Sequence, residues 1–357
     1  MKTLIAAVAA GVLLAPAAAA EPARLALPEP TGPLAVGKTT LHLVDHDRPD
    51  PWVPQENREL MVSLFYPTED RDGPRAEYVT PEESRLIMAG LRVTGVPEEI
   101  LSTTRTHAVA DAEPLDRKLP LVVLSPGHSF SRSSLTGLAE DLASRGYAVA
   151  AVDHTYEASA ITFPDGRITE CLICETKPDG PTIARNRAID VSFVIDELTG
   201  SGLIDADRIA MAGHSLGGAA AAHAVREDPR IRAGVNMDGT FRPELTEDLD
   251  HPFLMLGADK HGRPGADETW DASWPHLTGW KRWLSVAGTA HSSFTDYSIL
   301  AEQLGIDVGD EPMTGDRTAR ITRDYVAAFV DLHLRDRPQH LLDGPSPRYP
   351  EVRFENQ

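Results

Sequence analysis

The chain has 357 residues, of which 41% are hydrophobic and 25% are charged, as in an ordinary globular protein. Its 54 acidic residues exceed its 34 basic residues, which gives a formal net charge of −20. Because so acidic a surface repels phosphate backbones, nucleic acid is excluded as an expected partner.

The first 20 residues have the three parts of a secretory signal peptide. Lys2 supplies a positive charge, Leu4–Leu14 is apolar, and Ala18–Ala20 is a small-residue cleavage site. A glycine and a proline interrupt the apolar run, which is shorter than the roughly 20 residues that span a membrane. No later stretch is long and apolar enough to do so. We therefore expect cleavage after Ala20, secretion, no transmembrane span, and a single domain over residues 21–357.

A phosphate-loop pattern, G-x-x-x-x-G-K-[ST], occurs in the stretch TGPLAVGKTT at residues 31–40. Such a loop follows a buried strand and opens a helix whose N-terminus binds the phosphate. Here Pro28, Pro30 and Pro33 crowd the upstream side, and Lys38 belongs to a run that alternates like a strand. We interpret the pattern as a chance match and expect no nucleotide.

The next part of the chain predicts two strands and a small helical insertion. Strand-like runs cover residues 38–46 and 59–67. Segment 77–104 then shows a helical apolar pattern around Leu86, Met88 and Leu91. We expect this segment to form a small cap between the early strands and the main sheet.

From residue 119 onward, apolar strand runs alternate with amphipathic helix runs. This alternation predicts an α/β fold, with a mostly parallel central sheet and helices on both faces. The predicted strands lie within residues 119–127, 147–155, 207–215, 231–238, 252–259 and 281–291. The predicted helices lie within residues 133–146, 184–202, 216–228 and 319–336.

The stretch GHSLG at residues 213–217 follows the apolar run RIAMA and opens the helical run GGAAAAHAV. A strand, a tight turn and a helix are the setting of a nucleophile elbow, in which small neighbours let a serine stand at the tip of the turn. The G-x-S-x-G pattern alone also occurs in ordinary turns. In this context, however, it predicts that Ser215 is a catalytic nucleophile.

A serine nucleophile needs a base, and the base needs an acid that orients it. His291 lies in VAGTAHSSFTD, directly after the last predicted strand, and is the candidate base. Asp238 in NMDGT and Asp259 in GADKHG each follow an apolar strand, so strand position alone leaves both as candidate acids.

The oxyanion formed on the substrate needs N–H donors that are already in place. The backbone N–H of Leu216, the residue after the nucleophile, is one candidate donor. The backbone N–H of His128, in the loop SPGHSFSRSS, is the other. The imidazole of His128 has the simpler role of a side chain at the mouth of the site.

Several stretches together resemble the platelet-activating factor acetylhydrolase family and its bacterial secreted lipase and esterase relatives. They are LVVLSPGHSF, DLASRGYAVAAVDHTYEAS, GHSLGG, NMDGT and GTAHSSFTDY, and the similarity runs from about residue 30 to the final helix. The resemblance implies an α/β-hydrolase fold and calcium-independent ester hydrolysis. It assigns the nucleophile to Ser215, the acid to Asp238, the base to His291 and the oxyanion donors to His128 and Leu216.

Two features of the residues also favour Asp238 over Asp259. Gly239 directly follows Asp238 and lets the backbone turn toward the site. Asp259 is followed by Lys260, His261 and Arg263, a cluster in which we expect a solvated ion pair.

The two cysteines, Cys171 and Cys174, lie in the polar stretch TECLICETK. Their number excludes a four-cysteine zinc site. In an oxidising compartment, a local disulfide that pins this loop is the expected state, with free thiols as the alternative. No other metal-ligand cluster or cofactor motif stands out, so we expect neither metal nor cofactor.

Four tryptophans precede the His291 loop: Trp270, Trp274, Trp280 and Trp283. They are interpreted either as packing against the sheet or as an apolar wall for an acyl or alcohol group.

The sequence as a whole predicts a secreted serine esterase that acts on lipid-like esters with short or modified acyl chains. A polyester or cutinase-type hydrolase, or a general lipase, is the alternative within enzymes. A catalytically dead hydrolase fold that serves as a binding module is the alternative outside them. The expected partner is a small-molecule or lipid ester, and the oligomeric state is left open.

Overall fold

A ten-stranded sheet runs through the computed structural model, which describes residues 25–306 and 312–355. The predicted signal peptide lies outside the described residues. The strands are β1 (Ala35–Pro49), β2 (Asn57–Thr68), β3 (Val109–Ala110), β4 (Leu119–Ser125), β5 (Ala148–His154), β6 (Ile161–Thr162), β7 (Ile168–Thr169), β8 (Ile204–His214), β9 (Ile231–Met237), β10 (Phe253–Ala258), β11 (Lys281–Val286) and β12 (Val352–Glu355). The α-helices are α1 (Pro81–Gly90), α2 (Thr136–Ser144), α3 (Leu172–Thr176), α4 (Gly180–Thr199), α5 (Leu216–Glu227), α6 (Glu268–Ser273), α7 (Asp296–Leu304) and α8 (Gly315–Arg335).

The strand order is β12-β11-β10-β9-β8-β4-β5-β2-β1-β3, and β6 pairs with β7 in a separate hairpin. Neighbours from β11 through β5 pair in parallel. At the two edges, β12 pairs antiparallel with β11, and β2 pairs antiparallel with both β5 and β1. The predicted α/β-hydrolase fold is confirmed. In this fold, the carboxyl ends of β8, β9, β10 and β11 lie side by side along one edge of the sheet, where ligands of such sheets bind.

Helices cover both faces of the sheet because the buried strands are apolar on both sides. In β4, Leu121 and Val123 belong to one core with α4 and α5. The alternate residues Val122 and Leu124 belong to the opposite core with α2 and α8. No helix within residues 25–306 and 312–355 is long and apolar enough to cross a membrane.

Segment 77–104 forms α1 and a short 3-10 helix, Ile100–Thr103. The N-terminus of α1 is fixed by a capping box between Thr80 and Glu83. Its buried apolar residues are Ile87 and Met88, whereas Leu91 is exposed, so the buried face does not include all of the apolar residues that the sequence pattern placed on it. The segment packs with α7 in a small core of its own and contributes no lining residue to the pocket around Ser215 among the described residues. The segment is therefore a small helical insertion between β2 and β3, as predicted, and it lies away from this pocket.

The phosphate-loop pattern lies in a strand rather than in a loop before a helix. Gly37 and Lys38 belong to β1 and pair with Tyr66 and Phe65 of β2. The Lys38 Nζ donates to the backbone carbonyl of Glu77 at 2.8 Å.

Candidate active site

Ser215 occupies the turn between β8 and α5 with φ 55° and ψ −119°, a strained conformation for a residue with a side chain. The chain can turn this sharply only because its neighbours are glycines. A Cβ added to Gly213 would lie 2.1 Å from the backbone of Gly217, and one added to Gly217 would lie 2.0 Å from the carbonyl oxygen of Ser125. The GHSLG motif thus allows β8, α5 and the end of β4 to meet at Ser215.

The structure brings Ser215, His291 and Asp238 into one hydrogen-bonded chain. His291 opens a 3-10 helix, His291–Phe294, after β11, and its Nε2 lies 2.8 Å from Ser215 Oγ. Its Nδ1 lies 2.6 Å from Asp238 Oδ2, and Asp238 directly follows β9. This geometry suits transfer of the serine proton to a neutral imidazole that is oriented by a carboxylate.

Asp238 is fully buried and both of its carboxylate oxygens accept hydrogen bonds. Oδ1 accepts the backbone N–H of Ala258 at 2.7 Å, and Oδ2 faces His291. Burial by itself would raise the pKa of Asp238, but hydrogen bonds from His261 and His291 outweigh it and hold this pKa below its usual value. Asp238 is therefore an ionised carboxylate at neutral pH.

Asp259, the other candidate acid, is occupied elsewhere. It forms ion pairs with Arg263 and Arg353 and accepts the backbone N–H of Gly288 at 3.0 Å. These contacts tie the end of β10 to the turn after β11. Among the described residues, Asp259 has no hydrogen bond to His291.

His261, for which the sequence predicted only a place in a solvated cluster, is a second histidine that contacts Asp238. Its Nδ1 lies 2.8 Å from Asp238 Oδ1, and its Nε2 lies 2.8 Å from Asp267 Oδ2. Because ionised carboxylates only accept hydrogen bonds, both ring nitrogens donate and the ring is an imidazolium. Although partial burial would lower the pKa of His261, the hydrogen bonds to Asp238 and Asp267 raise it to about 10.

The sequence carries no local signal for this contact. His261 and Asp238 are 23 positions apart and meet only when β9 and β10 pair.

The two predicted oxyanion donors flank Ser215. Leu216 is the first residue of α5, and neither its backbone N–H nor that of His128 is bonded to another acceptor in residues 25–306 and 312–355. The loop before His128 lies directly against the nucleophile, since a Cβ added to Gly127 would lie 3.4 Å from Ser215 Cβ. Buried Arg187 holds this loop by donating to the carbonyl of Pro126. The loop is therefore placed in advance of substrate binding.

Comparisons with known proteins identify the family of this chain. The model of the family "Platelet-activating factor acetylhydrolase, isoform II" matches residues 19–170 and 174–308. The chain belongs to this family. The predicted resemblance is therefore confirmed, and with it membership in the esterases of the α/β-hydrolase superfamily.

Three relatives show the range of the family's neighbours. A probable 1-alkyl-2-acetylglycerophosphocholine esterase of Arthroderma benhamiae is 29% identical over 93% of this chain and 94% of its own length. The structure of a ferulic acid esterase from Streptomyces cinnamoneus has 46% sequence identity and a TM-score of 0.85, and covers 93% of this chain and 99% of its own. A cutinase, est1, of Thermobifida alba is 27% identical over 39% of this chain and 41% of its own length.

In this family member, Ser215 lies in a pocket of about 830 Å³. One wall is formed by the disulfide segment and the start of α4, which the sequence did not predict to lie at the site. The residues that line the cavity there include Ile173, Cys174, Lys177 and Ile183. Cys171 and Cys174 are joined by a disulfide bond at the start of α3. The predicted disulfide therefore lies in the pocket wall itself.

His128, Cys171 and Cys174 are close enough to hold a metal, with ligand atoms within 4.8 Å of one another. The two sulfurs are bonded to each other, however, and thiolates are the form of cysteine that binds metals. The donor set does not fit a metal in this state.

The four tryptophans, all within the described residues, do not line the pocket. Trp270 and Trp283 are buried, and their indole N–H groups donate to the carbonyls of Gly239 and Gly262, each at 2.7 Å. They therefore support the chain beside Asp238 and His261. Packing is the correct interpretation, and the acyl-wall alternative is wrong.

Proposed function

We propose that this family member is a serine esterase that forms an acyl-enzyme on Ser215. The hydrogen-bonded chain from Ser215 through His291 to the buried Asp238 carries the proposal. In the first step, His291 Nε2 takes the proton of Ser215 Oγ while the oxygen attacks the ester carbonyl. The backbone N–H groups of Leu216 and His128 donate to the oxyanion, which stabilises the tetrahedral intermediate.

The intermediate collapses when the C–O bond of the ester breaks and His291 Nε2 returns its proton to the leaving alcohol. A water molecule then gives a proton to His291 Nε2 while its oxygen attacks the acyl carbon. The bond between this carbon and Ser215 Oγ breaks, His291 returns the proton to Oγ, and the acid is released. Throughout, Asp238 accepts the Nδ1–H of His291, fixes its tautomer and stabilises the imidazolium. A binding module without activity would have no need of this strained and fully connected arrangement.

We propose lipid-like esters with short or modified acyl chains as the substrate class. The relative named a glycerophosphocholine esterase and the walled shape of the pocket support this class over a polymer. Polyesters are the alternative, supported by the similarity to a cutinase over about two fifths of the chain. A polymer chain needs a shallow open groove, whereas segment 171–183 walls the site on one side.

Substitution of Ser215 tests the mechanism. Ser215→Ala should lower kcat for p-nitrophenyl esters by about 10³–10⁶, with KM and the circular dichroism spectrum little changed. A fluorophosphonate probe should add once, at Ser215, by peptide mass spectrometry. The exposed Ser201→Ala is the matched control and should keep activity and labelling. Wild-type turnover by a folded Ser215→Ala protein would refute the proposal.

A substrate series tests the class. We expect the highest kcat/KM for p-nitrophenyl esters of short acids and for a phospholipid with a short sn-2 acyl chain. Faster release of acid from a polyester film than from these soluble esters would favour the alternative.

We also propose that the protein is exported and cleaved after Ala20. The N-terminal sequence and the Cys171–Cys174 disulfide, a bond typical of oxidising compartments, support this. Expression of the full chain in a bacterial host, followed by mass spectrometry of the exported protein, should give an N-terminus at Glu21. An uncleaved chain retained in the cytosol would contradict export.

A further inference from the structure

The pocket around Ser215 is positively charged in a protein that is strongly acidic overall. Of the described lining residues, Asp238 alone is acidic, and it is buried behind His261 and His291. Lys177, Arg242 and Lys260 also line the pocket. The net charge of the chain is −20, so the charge of the pocket lining has the opposite sign to that of the chain as a whole.

Lys177 and Arg242 have nothing to neutralise them. Within residues 25–306 and 312–355, neither the ammonium of Lys177 nor the guanidinium of Arg242 forms a hydrogen bond or an ion pair. Other arginines of the fold are paired: Arg58 with Asp190, Arg187 with Glu157 and Arg230 with Asp228. Unpaired cations facing a cavity attract an anion, since two opposite charges in a partly desolvated site interact more strongly than in bulk water.

Contacts of the main chain fix where the side chains of Lys177 and Arg242 start. Lys177 ends α3 in a left-handed conformation, φ 49°, and its N–H donates to the carbonyl of Ile173 at 2.9 Å. The carbonyl of Arg242 accepts the Nε2–H of His223 at 2.9 Å. The stem of Arg242 packs on Gly180, where an added Cβ would lie 2.4 Å from Arg242 Cδ. The main chain therefore sets where both side chains begin, and both line the same pocket as His291.

We propose that Lys177 and Arg242 form a subsite for a negatively charged group on the ester substrate. This inference rests on the proposed esterase function, because it names the class of ester that the same pocket takes. The group is an oxyanion, either the phosphate of a short-chain phospholipid or the carboxylate of a dicarboxylic acid monoester. Both present charged oxygen acceptors to an ammonium and a guanidinium.

The experiment compares matched pairs of charged and uncharged substrates. The carboxylate pair is 4-nitrophenyl hydrogen glutarate and its uncharged counterpart 4-nitrophenyl 5-oxohexanoate. The phosphate pair is dibutyryl phosphatidylmethanol and the methyl ether of dibutyrylglycerol. At low salt, we expect the wild type to favour the anionic member of at least one pair by about tenfold in kcat/KM, and the responding pair identifies the oxyanion.

Substitution of the cations tests their role. In the double variant Lys177→Gln/Arg242→Gln, the ratio of anionic to neutral kcat/KM should fall to near one. Arg185→Gln, which removes an exposed cation of α4 outside the pocket, should keep the ratio. NaCl at about 0.3 M should lower the wild-type ratio through screening. A ratio of one or below for both pairs in the wild type, or a preserved ratio in the folded double variant, would overturn the subsite.

The two proposals fail separately. Hydrolysis of the neutral esters by the wild type and not by Ser215→Ala supports the esterase mechanism, whatever the ratio. If no ester is hydrolysed, calorimetric titration with glutarate and methyl phosphate still tests the subsite. Binding that weakens about tenfold in the double variant supports it, and unchanged or absent binding refutes it.

Discussion

Asp238 and Asp259 both follow parallel strands, but their hydrogen-bond partners show that they have different roles. Asp238 holds the Nδ1 of His291, whereas Asp259 holds the turn after β11 through Gly288 and two arginines. Asp238→Asn should therefore favour the wrong imidazole tautomer and lower kcat by about 10⁴. Asp259→Asn should lower kcat by about tenfold or less, since it affects only the support of the turn. Steady-state kinetics on one p-nitrophenyl ester measures both.

The two variants act as controls for each other, because each removes one carboxylate charge from neighbouring strand ends. Circular dichroism and thermal melting establish that both are folded. If Asp259→Asn is the more damaging of two folded variants, the acid lies after β10 and the alignment with the family is wrong there.

His261 places a positive charge on the far side of Asp238 from His291. The two imidazole centroids are 6.3 Å apart, close enough for the charge of His261 to act on the catalytic pair. His261 is hydrogen-bonded to Asp238 and Asp267, its ring lies beside that of His291, and the cations Lys260 and Arg242 line the same pocket. His261→Gln removes this positive charge from beside the pair that Asp238 forms with His291. The acidic limb of the kcat/KM profile should then move to higher pH, by about 0.5–1 unit.

A pH profile separates this effect from simple damage to the fold, which would lower activity without moving the limb. His276→Gln, which disrupts a surface histidine–aspartate pair with Asp248, is the matched control and should leave the profile in place. If the acidic limb of the kcat/KM profile is unchanged in His261→Gln, the charge of His261 has no effect on catalysis by His291.

The same charge should affect stability in a defined pH range. The folded-state pKa of His261 is raised to about 10, above the usual 6.5, so its contribution is complete below about pH 6.5 and is lost as the pH rises toward 10. The difference in unfolding free energy between wild type and His261→Gln should therefore shrink over that range in denaturant titrations.

The sequence could identify those site residues that lie in a short continuous pattern, and it could not identify those that depend on contacts between distant segments. Ser215 lies in a motif of five residues whose glycines are needed for close packing, and His291 follows an unmistakable strand. The contacts of His261 and Arg187 join separate elements, the former between β9 and β10 and the latter between α4 and the loop after β4. Neither the apolar periodicity nor the spacing of residues within a motif can predict contacts between separate elements.

The same distinction applies to helices and strands. The long buried strands and α4, α5 and α8 were predictable because their apolar periodicity extends over many residues. The elements that were missed are short or lie at an edge: β3, β6, β7, β12, α3, α6 and α7. Two-residue strands have no period, and α3 has five residues beside a disulfide. The miss matters for the site, because α3, predicted only as a loop, forms part of the pocket wall.

Helix α4 is attached to the sheet by a buried ionic network. Asp190 of α4 accepts from Arg58 of β2 at 2.6 Å and lies 2.7 Å from His154 Nδ1 of β5. Burial would raise the pKa of Asp190, but Arg58 and His154 lower it far below its usual value. Removal of one charge leaves the others buried without compensation. Asp190→Asn should therefore lower the unfolding free energy by about 3–5 kcal/mol.

Asp196 offers a control on the same helix. It is largely exposed and pairs with Arg230 at the surface, so Asp196→Asn should change the unfolding free energy by less than about 1 kcal/mol. Because the pKa of Asp190 is depressed, the difference between the two variants should persist above about pH 4 and decline below it. Equal stability of the two variants in urea titrations would show that the network does not anchor α4.

The molecule as a whole combines an acidic exterior with a cationic pocket. The sequence predicted the first, since net charge is a sum over residues. It could not predict the second, because Lys177, Arg242 and Lys260 come from three separate segments that meet only in the fold. Excess negative charge repels itself in the compact state, and dissolved salt screens that repulsion.

Stability should therefore rise with ionic strength at neutral pH. Between about 0.01 M and 0.2 M NaCl, where the screening length falls from about 30 Å to below 10 Å, we expect the Tm to increase by about 2–4 °C. The control is the same series near pH 5, where the net charge is close to zero because the isoelectric point is about 5.0, and where the increase should largely disappear. Choline chloride should reproduce the effect of NaCl, since screening does not depend on the identity of the cation. A Tm that falls with salt at neutral pH would mean that the ion pairs of the fold, such as Arg317 with Glu351, contribute more to stability than the repulsion between its surplus acids removes.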